Sequence, residues 1–169
     1  MNATSILNKP NLTNKIKLDQ VSKGFEFQNT YLPVLKDIDF HVNEGEFVTV
    51  IGPSGCGKST ILNIIAGLEH PGAGNLYLNG KQDSNPLGKV AYMQQKDLLL
   101  PWRTVLDNTI LGVEIQGVSL ANARAKAMQL MDGFGLKGFE NEYPSSLSGG
   151  MRQRAAFLRT VMSETEIIL

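Results

Sequence analysis

The sequence lacks the features that mark several classes of protein. It contains one cysteine, Cys56, among 169 residues, so neither an internal disulfide nor a cysteine metal site can form. No apolar run approaches the ~20 residues of a membrane helix. The first twenty residues also lack the apolar stretch of a secretory signal. We therefore predict a globular protein of a reducing compartment.

The chain also has no excess of charge. Lysine and arginine total 16 and so do aspartate and glutamate, which gives a formal net charge of zero. Proteins that bind nucleic acid usually need a basic surface to displace counterions, so we expect no nucleic acid among the partners. Apolar residues make up 42% of the chain, enough for one hydrophobic core, and the length fits one compact domain.

The hydrophobic pattern of the first third predicts β-structure. Residues 1–14 are rich in polar residues without periodicity, and we expect a flexible leader there. Apolar and polar residues alternate over 16–21 and 38–42, which predicts antiparallel strands with one solvated face. Residues 47–51 form a continuous β-branched and aromatic run, which predicts a core strand covered on both faces, as in a parallel sheet.

Further elements follow along the chain. We predict a helix over 59–66 that stops at Gly67, a hairpin over 75–78 with a turn at Asn79-Gly80, and a short strand over 90–93.

The second half has a helical composition. We predict a helical subdomain from Leu106 to Lys137, including a helix from Leu120 to about Met131 that Ser119 caps. Residues 167–169 are typical of the start of another buried strand.

A glycine-rich loop follows the predicted strand at 47–51 and precedes the predicted helix at 59–66. The pattern G-x-x-x-x-G-K-[ST] is matched by Gly52-Pro53-Ser54-Gly55-Cys56-Gly57-Lys58-Ser59. Backbone N–H groups of such a loop surround a phosphate, Lys58 supplies a mobile cation, and the Ser59 hydroxyl can bind Mg²⁺. The alternative is a glycine-rich turn without a ligand. For Cys56, a redox switch and a small side chain in a tight loop both stay open.

A second glycine motif opens a predicted helix near the end of the sequence. It reads Leu147-Ser148-Gly149-Gly150-Met151-Arg152-Gln153-Arg154. Ser148 can cap this helix, and the amides of Gly149 and Gly150 add to the helix dipole to form another anion site.

Together these two motifs resemble ATP-binding-cassette (ABC) ATPases: the first is similar to their Walker A loop and the second to their signature motif. The resemblance covers nearly the whole chain and implies an α/β P-loop fold over residues 15–169, with an antiparallel β subdomain and a helical subdomain. It implies ATP and Mg²⁺ as cofactors. The residues expected to bind the nucleotide are Phe25, Gly52, Pro53, Ser54, Gly55, Cys56, Gly57, Lys58, Ser59, Thr60, Ser148, Gly149 and Gly150.

The resemblance also assigns roles outside the two motifs. Gln95 matches the Q-loop glutamine, which contacts Mg²⁺ and the attacking water, so Lys58 and Gln95 are the expected catalytic residues and Ser59 and Gln95 the expected metal contacts. Gln94 is adjacent, and which glutamine faces the site stays open. Phe25 matches the aromatic residue that stacks on adenine, although a core position on the sheet would equally explain a phenylalanine there.

A third segment, Leu98-Leu99-Leu100-Pro101-Trp102-Arg103-Thr104-Val105, resembles the ATPases of nitrate, sulfonate and taurine importers. Trp102 could dock a membrane subunit or anchor the loop to its own core.

The resemblance implies the ATP-binding subunit of a small-solute importer. Its expected partners are membrane-spanning permease subunits, indirectly a solute-binding protein, and a second copy of the chain, since a C2 pair can set the Lys58 loop of one protomer against the Ser148 turn of the other. The expected location is the cytoplasmic face of the membrane.

The family's Walker B aspartate, catalytic glutamate and switch histidine follow a segment like residues 167–169, so we expect a truncated cassette without ATP turnover. Alternative classes are a soluble cassette ATPase outside transport and a P-loop kinase or GTPase, but no paired cassette, acceptor-site or guanine-reading motif is found.

Overall fold

A computed structural model describes residues 14–169, which divide into two compact units, the first ending at Gly88 and the second beginning at Lys89. The expected leader over residues 1–14 lies outside the described residues except for Asn14, the first residue of a strand. The elements of the first unit are β1 (Asn14–Phe27), β2 (Thr30–Asn43), α1 (Lys58–Ala66), β3 (Ala73–Leu78) and β4 (Lys81–Gln82).

The four strands form one antiparallel sheet in the order β2-β1-β3-β4. The alternation predicted over 16–21 and 38–42 is confirmed, because Leu18 pairs with Phe40 and Val21 with Ile38. Leu18 and Val21 are fully buried. Two-residue turns with positive φ at both positions connect β1 to β2 and β3 to β4, and the second is the predicted Asn79-Gly80 turn.

The predicted core strand over residues 47–51 is wrong for the described structure. These residues have no regular secondary structure, and Phe47 and Ile51 are 94% and 89% exposed. A strand needs backbone partners in a neighbouring strand. All four strands of this unit belong to the antiparallel sheet, and none pairs with residues 47–51. An apolar run thus indicates that a segment prefers burial, but it does not show that a neighbouring strand is present to pair with it.

The helix after the glycine loop is confirmed, with α1 ending at Gly67 as predicted. Gly67 adopts a left-handed conformation, and its N–H group bonds the Ile64 carbonyl. Ile64 and Ile65 are buried, so the inner face of α1 contributes to the core of the first unit.

The second unit is helical, as predicted. Its elements are α2 (Val105–Thr109), α3 (Leu111–Ile115), α4 (Leu120–Gly133), a 3-10 turn (Pro144–Ser146) and α5 (Gly149–Val161). On α4 the buried residues Ala123, Ala127 and Met131 recur every four positions and face a hydrophobic core shared with α2 and α5. Ser119 stands at the N-cap of α4, but its side chain makes no capping hydrogen bond.

The strand predicted over 90–93 is reduced to a short parallel pairing. Ala91 bridges Ile168. The N–H groups of Ala91, Met93 and Leu169 donate to the carbonyls of Ile167, Leu169 and Ala91 at 2.9, 2.8 and 2.8 Å. Residues 90–93 and 167–169 were both predicted as strands, and the structure shows that they pair with each other.

Among residues 14–169, no helix is both long and apolar enough to cross a membrane. In the same residues no cluster of three or more histidine, cysteine or acidic side chains could hold a metal ion.

We predict that Gly74→Ala destabilises the first sheet more than Gly80→Ala. Both glycines have positive φ, +80° and +73°, so both substitutions carry the same backbone strain of about 1–2 kcal/mol. A Cβ at Gly74 would lie 2.3 Å from the Gln20 carbonyl oxygen, whereas one at Gly80 meets nothing within 4 Å. Urea unfolding of both variants should show an additional loss of about 1–3 kcal/mol in Gly74→Ala; equal losses would contradict the close approach.

Candidate functional site

The glycine loop places Lys58 at the first position of α1 and Gly57 at its N-cap. Gly57 has φ +97°, and α1 has no side-chain cap and no acidic residue in its first turn. The first N–H groups of a helix have no partner within the helix. The start of α1 lies at the glycine loop, so the positive end of the helix dipole favours an anion there.

The Lys58 ammonium folds back over its own loop. Its Nζ atom donates to the carbonyl oxygens of Gly52 and Pro53 at 2.8 and 2.7 Å, and lies 3.6 Å from Cys56 Sγ. The cation is therefore placed inside the loop by neutral acceptors. Cys56 is exposed, and its sulfur is 2.7 Å from where a Cβ on Gly52 would stand, so the first and fifth residues of the loop approach each other closely.

The loop is pressed against β2 at Gly57. A Cβ on Gly57 would lie 2.6 Å from Leu35 Cδ2 and 3.3 Å from the Val34 carbonyl oxygen. Leu35 is buried, and its register partner on β1 is Lys23. The hairpin β1–β2 and the loop are thus in direct contact, and Phe25 lies only two residues beyond Lys23.

Phe25 is exposed, in contrast to the fully buried Leu18 and Val21 on the same strand. The core position considered from the sequence is therefore wrong. Stacking on adenine stays a prediction. The ring is accessible, and its strand pairs with β2, the strand that contacts the phosphate loop. His41 and His70 are exposed, as expected of surface residues.

In the second unit, Ser148 is the N-cap of α5 as predicted, since its hydroxyl accepts a hydrogen bond from Met151 N–H at 3.3 Å. Gly149 and Gly150 form the exposed first turn, which has no acidic residue. Like the start of α1, this helix start has no acidic residue in its first turn, but here one N–H group is already bonded by the Ser148 hydroxyl.

Side chains of α5 bind the segment around Gln95 through a hydrogen bond and an ion pair. Gln153 donates to the Gln95 carbonyl at 3.3 Å, and Arg152 pairs with Asp97 at 3.2 Å. Both Gln94 and Gln95 are exposed, so their backbone is anchored while their side chains are accessible.

Arg159 completes this anchoring from the next turns of α5. Its guanidinium donates to the carbonyls of Leu98 and Asp97 at 2.8 and 2.7 Å. Burial lowers the pKa of the Arg159 guanidinium from its ordinary value, and the charge of Asp97 opposes that shift. Sequence reasoning missed this link because no local pattern relates residues about sixty positions apart.

Trp102 lies at the tip of a turn and is 71% exposed, so the core-anchor interpretation is wrong. Next to it, Arg103 forms an ion pair with Glu114 of α3, and this hydrogen-bonded pairing lowers the pKa of the Glu114 carboxyl. The Trp102 indole is thus exposed on a turn that the Arg103–Glu114 ion pair helps to hold in place.

The turn is also fixed from inside by Asn108, which is completely buried in α2. Its amide donates to the carbonyls of Leu100, Arg103 and Thr104 at 3.0–3.1 Å and accepts from Leu100 N–H at 2.7 Å. Sequence reasoning missed Asn108. The available signal was a polar residue within the apolar positions of a short helix.

Comparisons with known proteins agree with these features. The sequence profile of the family described as "ABC transporter" matches residues 35–169. An aliphatic sulfonates import ATP-binding protein of Rhodococcus jostii is 43% identical over 93% of this chain and 60% of its own length. A taurine import ATP-binding protein of Pseudomonas aeruginosa is 36% identical over 92% of this chain and 59% of its own.

Among solved structures, a dimeric ATP-binding cassette in a post-hydrolysis state with ADP and Pi superposes with a TM-score of 0.82. It is 32% identical to this chain, and the match covers 90% of this chain and 72% of the other.

The glycine loop, the uncapped start of α1 and the flanking antiparallel sheet define an α/β P-loop cassette. The chain belongs to the ABC transporter family. It spans about 60% of the length of the curated relatives that it matches.

We predict that Asn108→Ala destabilises the second unit and loosens the Trp102 turn, because it leaves several buried backbone groups without partners. The expected loss is about 1–3 kcal/mol in the free energy of unfolding. Asn122→Ala, an exposed position on α4, is the matched control and should change stability by under about 0.5 kcal/mol in urea unfolding. Similar losses in both variants would show that the buried amide does not hold the turn.

Proposed function

We propose that this chain is the nucleotide-binding part of the ATP-hydrolysing subunit of an importer for a small solute. The observation that carries the proposal is the Lys58 ammonium, held inside a glycine loop at the uncapped start of a helix. A phosphate group offers anionic oxygens to this cation and to the nearby amides. The exposed first turn of α5 at Ser148 supports a second contact with anionic phosphate.

The donor types suit Mg²⁺ as the accompanying ion. Ser59 offers a hydroxyl and Gln95 an amide oxygen, both are exposed, and Mg²⁺ prefers oxygen ligands shared with phosphates. A bound Mg²⁺ would neutralise charge on the transferring phosphoryl group. In this proposal Lys58 stabilises phosphate charge, and Gln95 orients water and metal.

The proposed assembly is a homodimer attached to permease subunits at the cytoplasmic face of the membrane. In a C2 pair, the Lys58 loop of one protomer and the Ser148 turn of its partner can enclose one nucleotide. The dimeric cassette that resembles this chain supports that arrangement. The exposed Trp102 favours the transport class over a soluble ATPase, because a braced, solvent-facing indole suits an interface pocket.

The proposed cargo is a solute of the nitrate, sulfonate or taurine type, delivered by a solute-binding protein that acts indirectly. Sulfonate and taurine import occur in the names of the relatives. Cargo selectivity resides in other subunits, so the ATPase relatives support import of a small solute in general rather than of one class of compound.

We predict that Lys58→Ala removes most affinity for Mg-ATP, by roughly tenfold to a hundredfold, because it deletes the charge-assisted bonds to phosphate. Lys81→Ala in β4 removes an exposed lysine of the same unit and should leave affinity unchanged. Calorimetry with a non-hydrolysable ATP analogue on the whole protein tests both variants. Unchanged binding in Lys58→Ala would refute the phosphate-loop assignment.

We also predict that Trp102→Ala spares ATP binding but weakens capture of the permease by about 2 kcal/mol or more, as expected of an interface anchor. Tyr143→Ala is the matched control, because Tyr143 is another exposed aromatic residue of the second unit. Quantitative co-purification with the membrane subunits should separate the two variants. Equal retention of permease by both would place the docking surface elsewhere.

A further inference from the structure

A lysine ammonium occupies one side of the exposed Phe25 ring. Lys23 Nζ lies 5.0 Å from the ring centroid, within the range of a cation–π interaction. The lysine side chain is only 16% exposed, so it is packed rather than free in solvent. Because the cation takes one side of the ring, a flat ligand has only the other face to stack on.

Two further partners fix this ammonium in place. Lys23 Nζ is 3.0 Å from Glu69 Oε2 and donates to the His70 carbonyl oxygen at 2.9 Å. Glu69 and His70 lie in the segment directly after α1. The lysine therefore connects the aromatic ring to the segment that follows the phosphate-loop helix.

The same lysine is linked to the other end of α1 through the sheet. Lys23 pairs with Leu35, and Leu35 touches the N-cap Gly57. Phe25 is thus linked to the start of α1 through Leu35 and to the segment after the end of α1 through Glu69 and His70. Both links restrict the position of the ring relative to α1.

We propose that Lys23 is a positioning residue that holds the Phe25 ring in the orientation in which its free face stacks on the nucleotide base. This inference rests on the proposed function, in which the loop binds ATP. Lys23 contacts the ring rather than the ligand. It restricts the motion of the ring before the ligand binds, so less conformational freedom is lost on binding.

The second cation–π pair of the sheet provides a matched control. Lys17 lies on the same strand as Lys23, and its Nζ atom is 5.3 Å from the ring centroid of Tyr77 on β3. It also pairs with a carboxylate, that of Asp19, at 3.1 Å. Lys17→Met therefore removes the same kind of interaction from β1 without touching Phe25.

The experiment compares two probes, a non-hydrolysable Mg-ATP analogue and Mg-tripolyphosphate, which share the phosphate chain and differ in the nucleoside. In the whole protein, Lys23→Met should weaken the ATP analogue by roughly two- to tenfold and leave tripolyphosphate unchanged. Lys23→Arg keeps a cation over the ring and should restore the ratio of the two affinities. Lys17→Met should leave the ratio unchanged.

The variants separate failure of this inference from failure of the proposed function. If Phe25→Leu lowers the affinity ratio and Lys23→Met does not, the positioning role is overturned and base stacking stands. If Phe25→Leu leaves the ratio unchanged, the ring does not stack and the inference is also overturned. If Lys58→Ala keeps its affinity for tripolyphosphate, the proposed phosphate site itself is wrong. The ratio compares the affinities of one variant for two ligands. A general loss of folded protein lowers both affinities alike and therefore leaves the ratio unchanged.

Discussion

The organisation of the first unit depends on a close contact between Gly57 and the buried side chain of Leu35. A Cβ at Gly57 would lie 2.6 Å from Leu35 Cδ2, so the buried leucine side chain would have to shift. The glycine therefore lets the start of α1 approach β2 directly, and its positive φ turns the chain from the loop into the helix. One residue thus joins the sheet, the loop and the helix, and it sets β2, which pairs with the strand of Phe25, against the loop that ends at Lys58.

The sequence could predict several elements whose signals are local. The Asn79-Gly80 turn, the stop of α1 at Gly67 and the Ser148 cap each depend on a few adjacent residues, and all three are present. The strand predicted over 47–51 failed for a physical reason. Hydrophobicity can favour burial of a run, but the hydrogen bonds that make it a strand belong to another segment.

The contacts that brace the candidate site could not be predicted, because no motif marks the side chains that bond these backbone groups, whether the groups lie a few residues away or about sixty. Asn108 binds the Trp102 turn from inside, and Arg159 binds the backbone of Asp97 and Leu98 from a helix about sixty residues later. These side chains satisfy backbone groups of irregular segments, which have no ladder to satisfy them. Residues within functional motifs could therefore be recognised from the sequence. The residues that hold the nearby backbone in place could be identified only from the structure.

Two lysines of the first unit are held by different kinds of partner, and this difference decides which of them can bind a phosphate. The ammonium of Lys23 is paired with the Glu69 carboxylate, and such a charge-assisted bond is strong, so the cation stays fixed beside Phe25. Lys58 is held by the neutral carbonyls of Gly52 and Pro53. A phosphate oxygen, being anionic, competes well against neutral acceptors and poorly against a carboxylate. The loop therefore keeps Lys58 in place without neutralising its charge. The formal net charge of the chain is zero, but the charge of this ammonium stays available to a ligand.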